Sequence, residues 1–187
     1  MRMKKRKLYL YQRNSDYEGV ITFLQVDNRV TVEKICSDCL IVKVDDDYTK
    51  KDFSQLREFI VGELLIDFVG FYEPLTFDID INEIIKSLKN LNPGIYDNVG
   101  YITEVCLEKN INLKQSLKTY YYNLAGIDNV NTVLGFIENN FNASLTSKRL
   151  YLHRNTLNYR LDNFQDKCEM NIRDFRTALA LFLLFKR

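Results

Sequence analysis

The sequence predicts an α+β protein in which a mixed N-terminal domain, residues 1–94, is followed only by helices. Runs of β-branched residues, which are typical of strands, occur before residue 94 and vanish after it. Beyond that point, capping residues and helical periodicity predict a helical connector over residues 95–126 and an all-helical domain over residues 127–187. The 187 residues, 46% of them apolar, suffice for one large domain or two small ones.

Strands are expected early in the chain. Residues 7–45 are β-rich, and Val30, Val32 and Ile35 precede a strong strand at residues 40–44. The apolar segment 19–26 is too short to distinguish a helix from a strand, so both interpretations stay open.

A long helix is expected next. Thr49, with Asp52 three residues later, resembles a capping box and begins a helix that we expect to end at Gly70, ahead of Pro74. Residues 75–81 then alternate between apolar and polar side chains, which predicts a half-buried strand.

The next capping residues are asparagines. Asn82 is the expected cap of a short helix that runs to Leu91. Asn98 and Asn112 are expected to cap two longer helices, over residues 99–109 and 113–124, and Gly126 is expected to end the second one.

Neither a membrane span nor a signal peptide is expected. The most apolar stretch, residues 59–72, contains Glu63 and Asp67 and is shorter than the ~20 residues that a bilayer requires. The basic N-terminus has no apolar region behind it. We therefore predict a cytoplasmic protein with no membrane partner.

The four cysteines predict neither a metal site nor a cofactor. Cys36 and Cys39 form a single CxxC without a second pair, and His153 is the only histidine. Because this CxxC lies between expected strands rather than at the start of a helix, buried or turn cysteines are favoured over a redox pair. No P-loop, G-x-S-x-G or HExxH occurs, so we expect no enzyme, and the redox pair is the one catalytic alternative.

The near-neutral formal charge of +1 conceals a division along the chain. Residues 131–187 carry nine Lys or Arg and five Asp or Glu, which gives +4, whereas residues 8–130 carry twelve against twenty, which gives −8. The first seven residues add five positive charges. A basic helical domain beside an acidic one is the arrangement expected of a nucleic-acid-binding protein.

The C-terminal domain has the pattern of a helix-turn-helix. A first helix with Val133, Leu134 and Ile137 on its apolar side is followed by a short helix over residues 143–150, which Asn142 is expected to cap. After a tight turn, His153 is expected to cap a third helix. Its buried face is predicted from the spacing of Leu157, Leu161, Phe164 and Cys168.

The segment IENNFNASLTSKRLYLHRNTLNYRLDNFQ resembles the C-terminal helix-turn-helix of PucR/CdaR-type transcriptional regulators. Their signature has the form L-x-V-H-R-N-T-L-x-Y-R-L followed by an apolar helix, and the closing NIRDFRTALALFLLFKR is similar to that helix. The match to the signature is ungapped at Leu150, Leu152, His153, Arg154, Asn155, Thr156, Leu157, Tyr159, Arg160 and Leu161.

The resemblance implies a transcriptional regulator that binds double-stranded DNA through a recognition helix beginning near Arg154. Arg154 is expected to contact a base edge or a phosphate, and Asn155 and Asn158 are expected to read bases through their amides. Thr156 and Tyr159 are expected to contact phosphates or thymine methyls. The cationic side chains are expected to hold the DNA backbone electrostatically, namely Lys148, Arg149 and Arg160.

Two positions and the N-terminal domain leave alternatives open. Asn158 replaces a residue that is usually basic in the family, and Asp162 lies towards the outer face of the helix. The protein is therefore expected to bind DNA as a homodimer with help from avidity, or to be a degenerate regulator that acts as a protein-interaction adaptor.

The apolar run 178–185 is expected to be the central core helix or part of a dimer interface. Residues 1–94 are expected to be a reduced sensor or GGDEF-like domain with an unidentified small-molecule effector.

Overall fold

The computed structural model describes residues 5–12, 17–35, 39–45, 47–48, 50–65 and 68–186. These residues form nine helices and a five-stranded sheet, which confirms the α+β class. The chain divides into two compact units, Met1–Asn98 and Val99–Arg187. The described residues include no helix that is long and apolar enough to cross a membrane, and no cluster of side chains suited to hold a metal ion.

The first unit is built on one twisted sheet. Its elements, in chain order, are β1 (Lys5–Gln12), α1 (Glu18–Leu24), β2 (Val30–Ile35), β3 (Cys39–Asp45), α2 (Lys50–Gly62), β4 (Phe68–Tyr72), α3 (Ile81–Leu88) and β5 (Gly94–Tyr96). The strand order is β2-β3-β1-β4-β5. All neighbours are antiparallel except β4 and β5, which α3 connects as the crossover that a parallel pair requires. The first six elements follow the β-α-β-β-α-β order of ferredoxin-like folds.

The core of the first unit lies where β1 and β3 pair in the middle of the sheet. Leu8 is opposite Val42 and Leu10 is opposite Leu40, so the same face of both strands is apolar. The side chains of α1 and α2 complete this core. Its most buried members besides those four residues are Val20, Leu24, Val44, Leu56 and Ile60.

The expected helix from Thr49 to Gly70 is wrong in its second half. The helix ends at Gly62, and Phe68–Tyr72 forms strand β4, buried between β1 and β5. A central strand is apolar on both faces, so its sequence has no alternation to distinguish it from a buried helix. The predicted cap Thr49 lies outside the described residues, as does Cys36 of the CxxC. The segment 19–26, which was open between helix and strand, contains helix α1.

Residues 75–81 do not form the predicted strand. Their side chains do alternate in burial, with Phe77 packing edge-on against Phe71 of the sheet at 5.4 Å between ring centroids. The segment nevertheless has no hydrogen-bonded neighbour in the described sheet. Conversely, the three residues of β5 pair with β4, although residues 95 and 96 fall in the predicted helical connector.

Most expected helices are present, but two caps are different residues and a third predicted cap lies inside its helix. Asp80, not Asn82, accepts the first backbone N–H groups of α3. The helices α4 (Asn98–Leu107) and α5 (Ile111–Ala125) begin earlier than predicted, with Asn98 inside α4 and Asn110 rather than Asn112 capping α5. Gly126 follows α5 with a φ of 89°, in agreement with its predicted role as terminator. Adjacent Asn and Asp residues can all cap, so only the packing selects among them.

A buried polar pair lies on the opposite face of the sheet from the apolar core. The Tyr9 hydroxyl donates a hydrogen bond to Glu73 Oε2 at 2.8 Å, and the backbone N–H of Lys7 donates to Glu73 Oε1 at 3.3 Å. Burial raises the pKa of the Glu73 carboxyl, and these hydrogen bonds offset that rise only in part. Glu73 is therefore costly to keep ionised in the folded protein.

We expect the folded protein to gain stability through Glu73 as the solution is acidified from neutral pH towards the ordinary pKa of a carboxyl group. A carboxyl with a raised folded-state pKa favours folding when it is protonated, and this contribution is lost as the pH rises through the folded-state pKa. Glu73→Gln cannot ionise, so wild type should gain stability relative to this variant on acidification. Urea unfolding followed by circular dichroism measures the difference, and a difference independent of pH would contradict the prediction. Tyr9→Phe removes a hydrogen bond that lowers the Glu73 pKa, so its pH dependence should move to higher pH.

Candidate nucleic-acid interface

The second unit places a short helix and a long helix on either side of a tight turn. After α4 and α5 come α6 (Ile127–Glu138), α7 (Ala143–Arg149), α8 (Arg154–Cys168) and α9 (Phe175–Phe185). Asn142 caps α7 as predicted, because its side chain accepts the N–H of Leu145 at 2.9 Å. The sequence pattern therefore predicted both helices and the cap that starts the first.

The turn between α7 and α8 is a Schellman motif. The N–H of Leu152 donates to the carbonyl of Ser147 at 2.9 Å, and the N–H of Tyr151 donates to the carbonyl of Lys148 at 3.4 Å. Tyr151 has a φ of 54°, in the left-handed region that glycine usually occupies at this position. The motif reverses the chain within four residues and fixes where α8 begins.

Helix α8 begins at the predicted cap. The backbone N–H of Asn155 donates to Nδ1 of His153 at 3.3 Å, so the imidazole serves as a cap. The predicted apolar face is confirmed, since all four of its members are at most 1% exposed: Leu157, Leu161, Phe164 and Cys168. Burial raises the pKa of the Cys168 thiol to about 12, which makes that cysteine a packing residue.

The side chains predicted to contact DNA lie on the other side of that buried face, with one clear exception. Six are exposed and Asn158 is half-buried; the exposed ones are Lys148, Arg149, Arg154, Asn155, Thr156 and Tyr159. In the described part of the chain, Lys148, Arg149 and Arg154 form no ion pair. The exposed Asp162 follows one turn further along α8.

Arg160 is the exception, because it has a partner within the unit. Its guanidinium donates to Asp128 of α6 at 2.7 Å and lies 3.4 Å from the Thr132 hydroxyl. A second polar contact lies nearby, where the Asn129 amide donates to Asn163 at 3.0 Å. Together these contacts join the outer edge of α8 to the start of α6.

One close approach was missed by the sequence analysis. It lies on α6, where a Cβ added to Gly135 would be 3.1 Å from a Leu150 methyl. A glycine inside a helical pattern was the available signal.

The exposed surface between α7 and the middle of α8 is uniformly basic. Residues 143–160 contain two lysine or arginine residues before the turn and two after it, and no aspartate or glutamate. We call the exposed cations and polar side chains of this segment the basic strip, namely Lys148, Arg149, Arg154, Asn155, Thr156 and Tyr159. A strip of this kind attracts polyanions.

Comparison with known proteins identifies the segment that carries the basic strip. Residues 130–186 match the model of the PucR C-terminal helix-turn-helix domain. The second unit carries a PucR C-terminal helix-turn-helix domain. Within the PucR domain, α7 and α8 are the two helices of the motif, and α9 closes its core.

Two further similarities concern single proteins. The uncharacterized protein YxkF of Bacillus subtilis (strain 168) is 43% identical over 53 residues, which are 28% of this chain and 18% of that protein. This chain therefore matches less than a fifth of the length of that relative. The structure also resembles the crystal structure of a regulator of polyketide synthase expression from Bifidobacterium adolescentis, with a TM-score of 0.50, 14% identity, and coverage of 97% of this chain and 78% of the other. At that identity the likeness concerns the fold alone.

Helix α9 has a buried and an exposed side. Ala178, Ala180, Leu181 and Leu184 are buried, as expected of a core helix. Its opposite side is also apolar, where Phe175, Leu179 and Phe182 are 73%, 38% and 36% exposed. The continuous apolar run is thus explained only in part by the core of the PucR domain.

We expect Leu161→Ala to lower the free energy of unfolding by about 2–5 kcal/mol, because it leaves a cavity under the middle of α8. Asp162→Ala, at the exposed neighbouring position, is the control and should change the stability by less than about 0.5 kcal/mol. Urea unfolding of both variants measures the two losses. Similar losses in the two variants would contradict the burial described for α8.

The Arg160–Asp128 pair is expected to contribute little stability. Asp128 is 69% exposed in its side chain, and solvent screens an ion pair of this kind. A double-mutant cycle with Asp128→Asn and Arg160→Met should therefore give a coupling energy below about 1 kcal/mol. A larger coupling energy would show that the pair determines the packing of α8 on α6.

Proposed function

We propose that the protein is a non-catalytic, DNA-binding transcriptional regulator that acts in the cytoplasm and reads double-stranded DNA with α8. The observation that carries the proposal is the basic strip, exposed on the PucR helix-turn-helix domain and free of carboxylates from residue 143 to residue 160. In a helix-turn-helix, the first residues of the second helix reach base edges in the major groove. Arg154, Asn155 and Thr156 are those residues in α8.

The roles within the basic strip follow from chemistry and position. Lys148 and Arg149 close the last turn of α7 and are suited to phosphate contacts, because they have no ion-pair partner among the described residues. The amide of Asn155 is suited to adenine, and Arg154 to guanine or a phosphate. Tyr159 and the half-buried Asn158 lie one turn further along α8 and are suited to contacts at the edge of the groove.

Arg160 takes a different role in the proposal. Its guanidinium is engaged by Asp128 and Thr132, so we assign it to positioning α8 against α6 rather than to gripping phosphate. Asp162 opposes phosphate binding nearby, and the helical domain has a modest charge of +4. For these reasons we propose that a homodimer binds paired half-sites and gains affinity from avidity.

The first unit is proposed to be a regulatory domain of the reduced sensor or GGDEF-like type, with a small-molecule effector. Support for this part is limited to the fold. Its sheet and helices follow the β-α-β-β-α-β order, and proteins with this fold have many different functions. The likeness to the polyketide synthase regulator extends over this unit as well as the helical one.

The test is binding of the intact protein to fragmented genomic DNA, with enriched fragments used to find a preferred sequence. Lys148→Ala should weaken binding to preferred and random DNA alike and reduce the slope of log affinity against log salt by about 1. Asn155→Ala should cost about 1–3 kcal/mol for the preferred sequence and little for random DNA.

Lys167→Ala is the matched control, because it removes the same charge from the exposed far end of α8. It should bind like wild type. Equal effects of Lys148→Ala and Lys167→Ala would mean that only net charge matters. A wild-type protein that retains no DNA even at low salt would refute the proposal and favour the adaptor role.

A further inference from the structure

The exposed ring of Tyr151 has no function inside the chain. Its side chain is 95% exposed, the highest value among the large apolar and aromatic residues described. Among the described residues, the ring has no aromatic partner and its hydroxyl has no hydrogen bond, whereas the backbone N–H donates to the carbonyl of Lys148. The ring therefore contributes nothing measurable to the packing of the turn.

The backbone at Tyr151 is also unfavourable for a tyrosine. A φ of 54° brings Cβ close to the neighbouring carbonyl, a conformation that glycine adopts freely and other residues adopt at a cost. The Schellman motif demands this conformation at residue 151, since Leu152 and Tyr151 satisfy the carbonyls of Ser147 and Lys148. Glycine would adopt this conformation at a lower cost. Five other described non-glycine residues share a positive φ, so the exposed ring rather than the backbone strain points to a role for Tyr151.

The surroundings of the ring indicate its target. Lys148 and Arg149 precede it by three and two residues, and Arg154 follows it by three, with no carboxylate between them. At no more than about 3.8 Å per residue, all three are within about 12 Å of Tyr151 along the chain. An exposed tyrosine among unpaired cations suits an anion that accepts a hydrogen bond from the hydroxyl, and tyrosine is one of the side chains that donate to DNA phosphates.

We propose that Tyr151 is a DNA-backbone contact of this protein, in which the hydroxyl donates to a phosphate beside the site read by α8. The inference rests on the proposed DNA-binding function. The contact positions the protein on DNA and carries no sequence preference. It is electrically neutral, so it displaces no counterion, and this separates it from the contacts of Lys148 and Arg149.

The experiment measures DNA affinity and stability in the same set of variants of the full chain. Tyr151→Gly should lower the equilibrium constant for unfolding by about tenfold, because it relieves the left-handed backbone. It should also weaken binding to a preferred duplex and to a random duplex by the same factor, about 10–100-fold, the contribution of one hydrogen bond to a charged group. Tyr151→Phe should weaken binding similarly without changing stability. In both variants the salt dependence should stay that of wild type.

Asn140→Gly is the matched control for strain relief. Asn140 is an exposed, uncharged residue with a φ of 53°, and its backbone N–H donates to the carbonyl of Ile137. Its replacement should raise stability, by less than Tyr151→Gly because asparagine tolerates this conformation better, and should not lower DNA affinity. Lys148→Ala removes a charge and should lower the slope of log affinity against log salt. Comparing it with Tyr151→Phe, which leaves that slope unchanged, separates the loss of a charged contact from the loss of the uncharged hydroxyl.

The outcomes distinguish the inference from the proposed function. If wild type binds DNA and Tyr151→Gly and Tyr151→Phe bind it equally well, the contact is refuted and the DNA-binding function stands. If Tyr151→Phe changes the preference between duplexes, Tyr151 reads bases and the backbone role is overturned. If wild type binds no DNA under any salt condition, both fall. If Tyr151→Gly weakens binding and Tyr151→Phe binds like wild type, the ring makes the contact and the hydroxyl donation is refuted.

Discussion

The burial of one face of α8 is the constraint on which the helical unit depends. Leu157, Leu161, Phe164 and Cys168 recur every three or four residues and are all enclosed. This spacing fixes the rotation of α8 about its own axis, because turning the helix would expose apolar surface. The side chains on the opposite face of α8 are consequently all exposed to solvent on the same side of the helix. A polar surface on a rotationally fixed helix is what reading DNA requires.

The polar contacts around that core refine the placement of α8 without determining it. His153 and the Schellman turn set the residue at which α8 begins. The Arg160–Asp128 and Asn129–Asn163 contacts join its edge to α6, and Gly135 lets the Leu150 methyls approach α6 closely. Each of these contacts is small or partly exposed. The buried apolar face therefore contributes most of the free energy that holds α8 in place, and the polar groups set its exact position against α6.

The first unit depends on β1 in the same way. This strand lies in the middle of the sheet and pairs with both β3 and β4. Its two faces therefore lie in two different buried environments. Leu8 and Leu10 point to the apolar core, and Tyr9 between them points to the other face, where it donates to the buried Glu73. Because burial raises the pKa of that carboxyl, we expect the stability of this unit to depend on pH.

The sequence by itself determined the features that local chemistry controls. These were the strand at residues 40–44, the Asn142 and His153 caps, the buried face of α8 and the likeness to the PucR domain, each of which depends on residues close together in the chain. Only the tertiary structure decided that residues 68–72 are a strand, that residues 94–96 extend the sheet, and that Arg160 faces Asp128. The partners in these three cases are distant in sequence: a central strand with its neighbours, a three-residue edge strand with β4, and an ion pair between residues 32 positions apart. A local sequence pattern does not indicate which distant residue will be the partner.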